Sequence, residues 1–120
     1  MKNAFDYDYE FAFRCACSFG HLDFAKWLLK RKPDIDISWN NESAFRISCE
    51  YGHLTLAKWL LKRKPDIDIS SRDDEAFRYA CQNGHLLMAK WLQSLKDNLY
   101  VIEYDDNGNY TGFKIGNNYN

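Results

Sequence analysis

The stretch CSFGHLDFAKWLLK, beginning at Cys17, returns at Cys49 as CEYGHLTLAKWLLK and at Cys81 as the looser CQNGHLLMAKWLQS. The cysteines, the Gly-His-Leu steps and the tryptophans Trp27, Trp59 and Trp91 all recur every 32 residues. Residues 17–48 match residues 49–80 at 21 of 32 positions. A fixed period of this length predicts a solenoid, because one such unit cannot bury its own apolar face and must stack on its neighbours. A chain of 120 residues holds three units and a tail.

Each unit carries the same punctuation. The spacing predicts first helices of around ten residues starting near Glu10, Ser43 and Glu75, with the signature Ala-Phe-Arg-x-(Ala/Ser)-Cys. In the first copy Ala12 and Ala16, like Phe13 and Cys17, are i, i+4 pairs, so small residues line one face and allow close helix approach. Gly20, Gly52 and Gly84 end these helices, as glycine does where the backbone must turn left-handed. Second helices follow over His21–Arg31, His53–Arg63 and His85–Lys96. Their polar positions form a narrow stripe (Asp23, Lys26, Lys30 in the first copy), which suits a helix wedged between neighbours on both sides.

Pro33 and Pro65 stop the first two second helices. Asp-Ile-Asp-Ile-Ser follows at 34–38 and 66–70, an alternating pattern that reads as extended chain. Polar tips come next, and Asn41 or Asp73 is placed to cap the following helix. Residues 1–9, with Phe5, Tyr7 and Tyr9, read as an N-terminal edge whose aromatics cover the first helix. The third copy lacks the Lys-Pro-Asp-Ile-Asp segment. Its tail has two β-rich runs around Asn107-Gly108, which suggest a hairpin over the last unit, the alternative being a polar, irregular tail.

The net charge of −1 gives no overall attraction to nucleic acid or to an anionic membrane. Apolar runs are too short for a membrane span, and the acidic, aromatic N-terminus does not read as a signal peptide. Equivalent helices in a stack lie about 8–10 Å apart, too far for a disulfide, whose Cα atoms need about 7 Å or less. Cys17, Cys49 and Cys81 are therefore expected as small buried hydrophobes, and with Cys15 they point to a reducing intracellular compartment.

The sequence Gly52-His53-Leu54-x-x-Ala57-Lys58-Trp59-Leu60-Leu61, followed by Pro-Asp-Ile-Asp-Ile, resembles the ankyrin repeat. The resemblance covers roughly residues 6–98 and implies an all-α, ankyrin-type helix-turn-helix solenoid of three stacked repeats with a C-terminal β-hairpin or irregular cap. The implied domain is 1–98, in repeats of approximately 6–38, 39–70 and 71–98, with a cap or tail at 99–120. The Phe-Arg opening and the Ala-Lys-Trp-Leu core are similar to ankyrin arrays of large DNA viruses and protists. Two departures stand out. The family's Thr-Pro-Leu-His opening is replaced around Ala12-Phe13-Arg14 and its counterparts. The family's glycine after the second helix is Lys32 and Lys64, where a left-handed backbone would cost roughly 1 kcal/mol.

Chemistry finds little support. Cys17/His21, Cys49/His53 and Cys81/His85 are C-x₃-H pairs, but zinc needs four ligands around one point and equivalent residues one repeat apart cannot converge. No placed nucleophile pairs with the histidines, whose expected task is hydrogen bonding at the turn and to the next repeat. Arg14, Arg46 and Arg78 have Glu10, Glu42 and Asp74 four residues earlier, which predicts a ladder of surface ion pairs, with Glu50 a second partner for Arg46. The tryptophans of the three second helices are expected in the core. No phosphate-binding glycine loop is present.

The expectation is thus a non-enzymatic protein-binding module with no cofactor and no metal, monomeric, cytoplasmic, and small enough to enter the nucleus. In ankyrin proteins the finger tips and first-helix ends form a concave binding face. Here that places partner contacts at Ser18, Phe19, Trp39, Asn40, Asn41, Glu42, Glu50, Tyr51, Ser71, Arg72, Asp73, Asp74, Gln82 and Asn83. Trp39 is the aromatic at a projecting tip, either an interface anchor or folded over its neighbour. Two other readings stay open: nucleic-acid binding through the basic triads 30–32 and 62–64, and a structural or self-associating role.

Overall fold

The computed structural model describes residues 4–116, with side chains from Tyr9 onward. Three helix pairs stack along one axis into a body of 54 × 27 × 20 Å: α1 (Ala4–Phe19) with α2 (Leu22–Arg31), α3 (Trp39–Glu50) with α4 (Leu54–Arg63), and α5 (Ser71–Gln82) with α6 (Leu86–Leu95). An antiparallel hairpin, β1 (Tyr100–Tyr104) with β2 (Tyr110–Ile115), closes the C-terminal end. Helix α1 is longer than the expected first helix, since residues 4–9 continue it rather than forming a separate edge. The cover expected from Phe5 and Tyr7 lies outside the described side chains.

The turn between helices of a pair also fixes the joint between pairs. Gly20, Gly52 and Gly84 have φ of +74°, +76° and +78°. The histidine N–H that follows each reaches back to the carbonyl of Ala16, Ser48 or Ala80 at 2.9, 2.9 and 2.8 Å, which closes the first helix. The missing side chain matters as much as the left-handed φ. A Cβ on Gly20 would stand 2.5 Å from His53 Nδ1, and one on Gly52 would stand 2.6 Å from His85 Nδ1. Each imidazole therefore lies over the glycine of the preceding pair. His53 Nε2–H also donates to the Ser18 carbonyl at 2.9 Å, so this histidine braces the preceding repeat rather than the next.

Phenylalanine and tryptophan complete each joint. Phe13, Phe45 and Phe77 are fully buried on the first helices. Trp59 tilts onto Phe13 at 6.5 Å and Trp91 onto Phe45 at 6.1 Å between ring centroids. Such pairs contribute about 0.5–1.5 kcal/mol beyond their buried area. The tryptophans are thus less central than expected. Trp59 and Trp91 are half-buried joint residues, and Trp27 is 48% exposed. Cys17, Cys49 and Cys81 fill the space behind as free buried thiols. Burial pushes Cys17 up to about 12 and Cys81 to about 11, and raises Cys49 as well.

The fingers depart most from expectation. The 34–38 and 66–70 segments are successive tight turns, in which Asp36 and Asp68 carboxylates accept the backbone N–H of Ser38 and Ser70. Ile35 and Ile67 are buried beneath. Asn40, Asn41 and Glu42 then form a left-handed turn (φ 57°, 56° and 63°), as do Arg72, Asp73 and Asp74 (φ 57°, 58° and 60°), before the chain becomes right-handed helix. Neither Asn41 nor Asp73 is a cap, because each lies inside that turn. Lys32 and Lys64 need no left-handed backbone: their φ values are −136° and −133°.

Side chains from the next stretch hold these turns. Arg46 donates from Nε to the Asn41 carbonyl and from Nη2 to the Asn40 carbonyl, both at 2.8 Å. Its Nη1 meets Glu75 of the following pair at 2.6 Å. Arg78 repeats the grip on the Asp73 and Arg72 carbonyls at 2.8 and 3.3 Å. The expected i−4 ladder is therefore replaced by a clasp on backbone oxygens, joined across the stack where an acid is available. Arg14 instead donates to the Glu10 backbone carbonyl at 3.3 Å.

The hairpin takes the place of a fourth repeat. Tyr100 is fully buried and stacks on Phe77 at 4.2 Å and 4°, while Phe113 meets the same ring edge-on at 5.7 Å. The Tyr100 hydroxyl donates to Asp74 at 2.6 Å. Its titration is raised, first by burial and then by that hydrogen bond. At the hairpin tip the Asp105 carboxylate accepts the N–H groups of Asn107 and Asn109, which lowers its own titration.

Candidate functional site

Exposed aromatics gather at two places where the first and second pairs meet. Phe11, Arg14 and Ser18 share a face of α1 at i, i+3 and i+7. The Arg14 guanidinium lies 4.2 Å from the Trp39 ring and 5.9 Å from the Phe11 ring, linking the first helix to the finger. Further along, Ser18, Phe19, Tyr51 and His53 line a cleft between the ends of α1 and α3. Phe11 and Phe19 are 62% and 68% exposed, Trp39 43% and Tyr51 50%. Each ring has a packed side and a wet side: Trp39 on Arg14, Phe19 on His21 at 6.1 Å, and Tyr51 on His53 at 6.5 Å. Large apolar groups fixed on one side and solvated on the other suit interface anchors.

The other candidates divide by what their side chains already do. Asn40, Asn41, Arg72, Asp73 and Gln82 are exposed, and Glu50 is half-exposed. Arg72 lies 4.0 Å from Glu75. Four more are engaged inside the molecule. Glu42 is buried and accepts the Asp68 N–H at 3.0 Å. Asp74 takes the Tyr100 hydroxyl, Ser71 donates to the Asn41 carbonyl at 2.8 Å, and Asn83 donates to the Glu50 carbonyl at 3.0 Å. Phe11, Arg14 and His53 join the face without having been expected there. The Phe11 and Arg14 signal was in the sequence, as an exposed aromatic and a cation three residues apart on the helix that carries Ser18.

The basic triads lie elsewhere and are partly spent. Lys32 meets Asp34 at 2.9 Å and Lys64 meets Asp66 at 2.8 Å. The hydrogen bond with Asp66 holds Lys64 above its usual range and Asp66 below its own. Lys26, Lys30 and Arg63 surround a groove on the second helices, floored by Leu29, Pro33 and Trp59. Among the described residues, no three of His, Cys, Asp and Glu come together as a metal site would require. No helix among them is long and apolar enough to cross a membrane.

The family description "Ankyrin repeats (3 copies)" matches residues 13–103. No protein of curated function matches the chain. An ankyrin repeat family protein from Legionella pneumophila, of known X-ray structure, is 31% identical with a TM-score of 0.67, over 70% of this chain and 26% of that one. This chain thus spans about a quarter of that protein's length. Ankyrin repeats generally are non-catalytic protein–protein interaction modules. The family match, the paired helices and the Gly-His joints lead to one conclusion: the chain belongs to the ankyrin repeat family.

Proposed function

We propose that this protein is a non-catalytic adaptor that binds a partner protein through the side formed by the first-helix ends and finger tips. The carrying observation is the exposed aromatic group Phe11, Phe19, Trp39 and Tyr51, held around Arg14 and His53 where the first and second repeats meet. Rings braced on one face lose little conformational freedom on binding, so their burial converts efficiently into affinity. The third repeat offers Gln82 and Asn83 at the equivalent helix end, a polar continuation of the aromatic cleft. Three repeats present a modest area, which suits one partner at low to moderate affinity. The free thiols suit a reducing intracellular compartment, and the binding side works in a monomer.

The test uses the protein as bait beside a variant carrying Trp39→Ala, Tyr51→Ala and Arg72→Glu, with captured proteins identified by mass spectrometry. The two baits must share a melting curve. A protein held by the original and lost by the variant supports the reading. Capture of the same set by both, or of nucleic acid alone, contradicts it.

A further inference from the structure

The two joints inside the stack follow one rule. The later repeat brings a tryptophan onto the earlier repeat's phenylalanine, Trp59 on Phe13 and Trp91 on Phe45. It also brings a histidine over the earlier repeat's glycine, and His53 donates to the carbonyl of Ser18 beside that glycine. The first repeat carries the same delivering half, a tryptophan and a histidine, with no phenylalanine or glycine of an earlier repeat beneath it among the described residues. Trp27 is 48% and Phe24 44% exposed, their rings near-parallel at 5.9 Å, with the Arg31 guanidinium 5.5 Å from the Trp27 ring. His21 is exposed, and its imidazole meets the Phe19 ring without a hydrogen bond to any described residue, unlike the ring of His53. Gly20, Leu22 and Asp23 join His21 and Phe24 around an open cleft at the start of α2.

The opposite end differs. Tyr100 and Phe113 cover Phe77, where a further repeat's tryptophan would sit. We propose that the α2 face of the first repeat (His21, Phe24 and Trp27) is a docking surface for the terminal helix pair of another ankyrin repeat protein. The internal joints define that occupant: a first helix presenting phenylalanine among small residues, ended by glycine, with a helix-end carbonyl for His21. A second copy of this chain does not qualify, because its own Phe77 is covered. The contact is end-on and heterologous, separate from the adaptor face.

The probe is the full chain with Tyr100→Ala and Phe113→Ala, which bares Phe77 and turns it into a donor. In sedimentation velocity the donor should self-associate with concentration. A donor that also carries Trp27→Glu should instead bind one unaltered molecule. That affinity should fall by about tenfold or more when Trp27→Glu is placed in the acceptor as well. A donor that is folded by circular dichroism yet binds nothing, or binding indifferent to Trp27, overturns the proposal. If the donor does not fold, a covalent version decides: residues 39–70 placed directly ahead of residue 7, in the 32-residue register. A docked extra repeat raises the melting temperature by several degrees and protects the α2 amides from hydrogen exchange. Unchanged melting and exchange overturn the proposal equally.

Discussion

Gly52→Ala and Gly84→Ala make the same chemical change at the same turn, yet they should differ sharply in cost. The two backbones are alike, with φ of +76° and +78°. An L-residue held left-handed costs about 1–2 kcal/mol, so each variant carries that strain. Only at Gly52 does the new methyl meet the next repeat, 2.6 Å from His85 Nδ1 and 2.7 Å from its Cγ. At Gly84 nothing lies within 4 Å. Moving the ring means opening the joint or overpacking it, which adds about 1–3 kcal/mol. Gly84→Ala should therefore lose about 1–2 kcal/mol and Gly52→Ala about 2–5 kcal/mol, read by urea denaturation with circular dichroism. In a His85→Ala background the clash disappears, and Gly52→Ala should cost no more than Gly84→Ala does alone. Equal losses at the two glycines in the unaltered background would refute the histidine-on-glycine joint and leave backbone strain as the whole effect.

Other consequences follow from the clasp, the left-handed turns and the buried thiols. Arg46→Ala removes two grips on finger carbonyls and leaves the largely buried Glu75 carboxylate only the 4.0 Å contact with Arg72, so it should cost about 3 kcal/mol. Arg78→Ala, without an acid across the stack, should cost about 1 kcal/mol in the same denaturation assay. Asp73 is exposed with φ of 58°. Asp73→Gly should be neutral or stabilising by up to about 1 kcal/mol, and Asp73→Val should destabilise by about 2 kcal/mol; the reverse order would remove the left-handed turn from the account. Cys17, Cys81 and Tyr100 all titrate higher folded than their ordinary values of 9.0, 9.0 and 10.0, so the folded state holds their protons more tightly. That stability is complete below pH about 9 and is lost as pH rises toward 11–12. Melting temperature should be level through neutrality and fall above pH about 9; a fall on the acid side of neutrality alone would contradict this assignment.

Legibility followed repetition. The 32-residue period, the glycine stops and the Gly-His-Leu turn gave the helix pairs, because those residues serve backbone needs that are local and recur. The tail was readable in outline from Asn107-Gly108 between β-rich runs, since strand and turn chemistry are local too. What tryptophan does was not local. Trp27, Trp59 and Trp91 occupy identical positions, but burial depends on whether an earlier repeat supplies a phenylalanine, so one motif yields two joint residues and one exposed ring. The arginines misled for a related reason. Helix spacing assumes a right-handed helix through Glu42 and Asp74, and the left-handed turns at those residues redirect Arg46 and Arg78 to backbone carbonyls. On the candidate face, Phe19, Trp39 and Tyr51 are exposed as their variation between copies implied. Glu42, Asp74 and Asn83 vary or sit at tips and yet work inside the stack, because their partners lie some 26 to 33 residues away in sequence.

The measurement that bears most directly on the adaptor reading compares two variants against whichever protein the bait captures. One carries Phe19→Ser and Tyr51→Ser in the aromatic cleft; the other carries Lys30→Glu and Lys62→Glu on the second helices. Affinities are taken by calorimetry at low and high salt, with melting curves matched to the unaltered protein. The account predicts a loss of about tenfold or more for the cleft variant, little change for the charge variant, and weak salt dependence. Full affinity in the cleft variant, with a steep salt-sensitive loss in the charge variant, would place binding on the second helices and contradict the account.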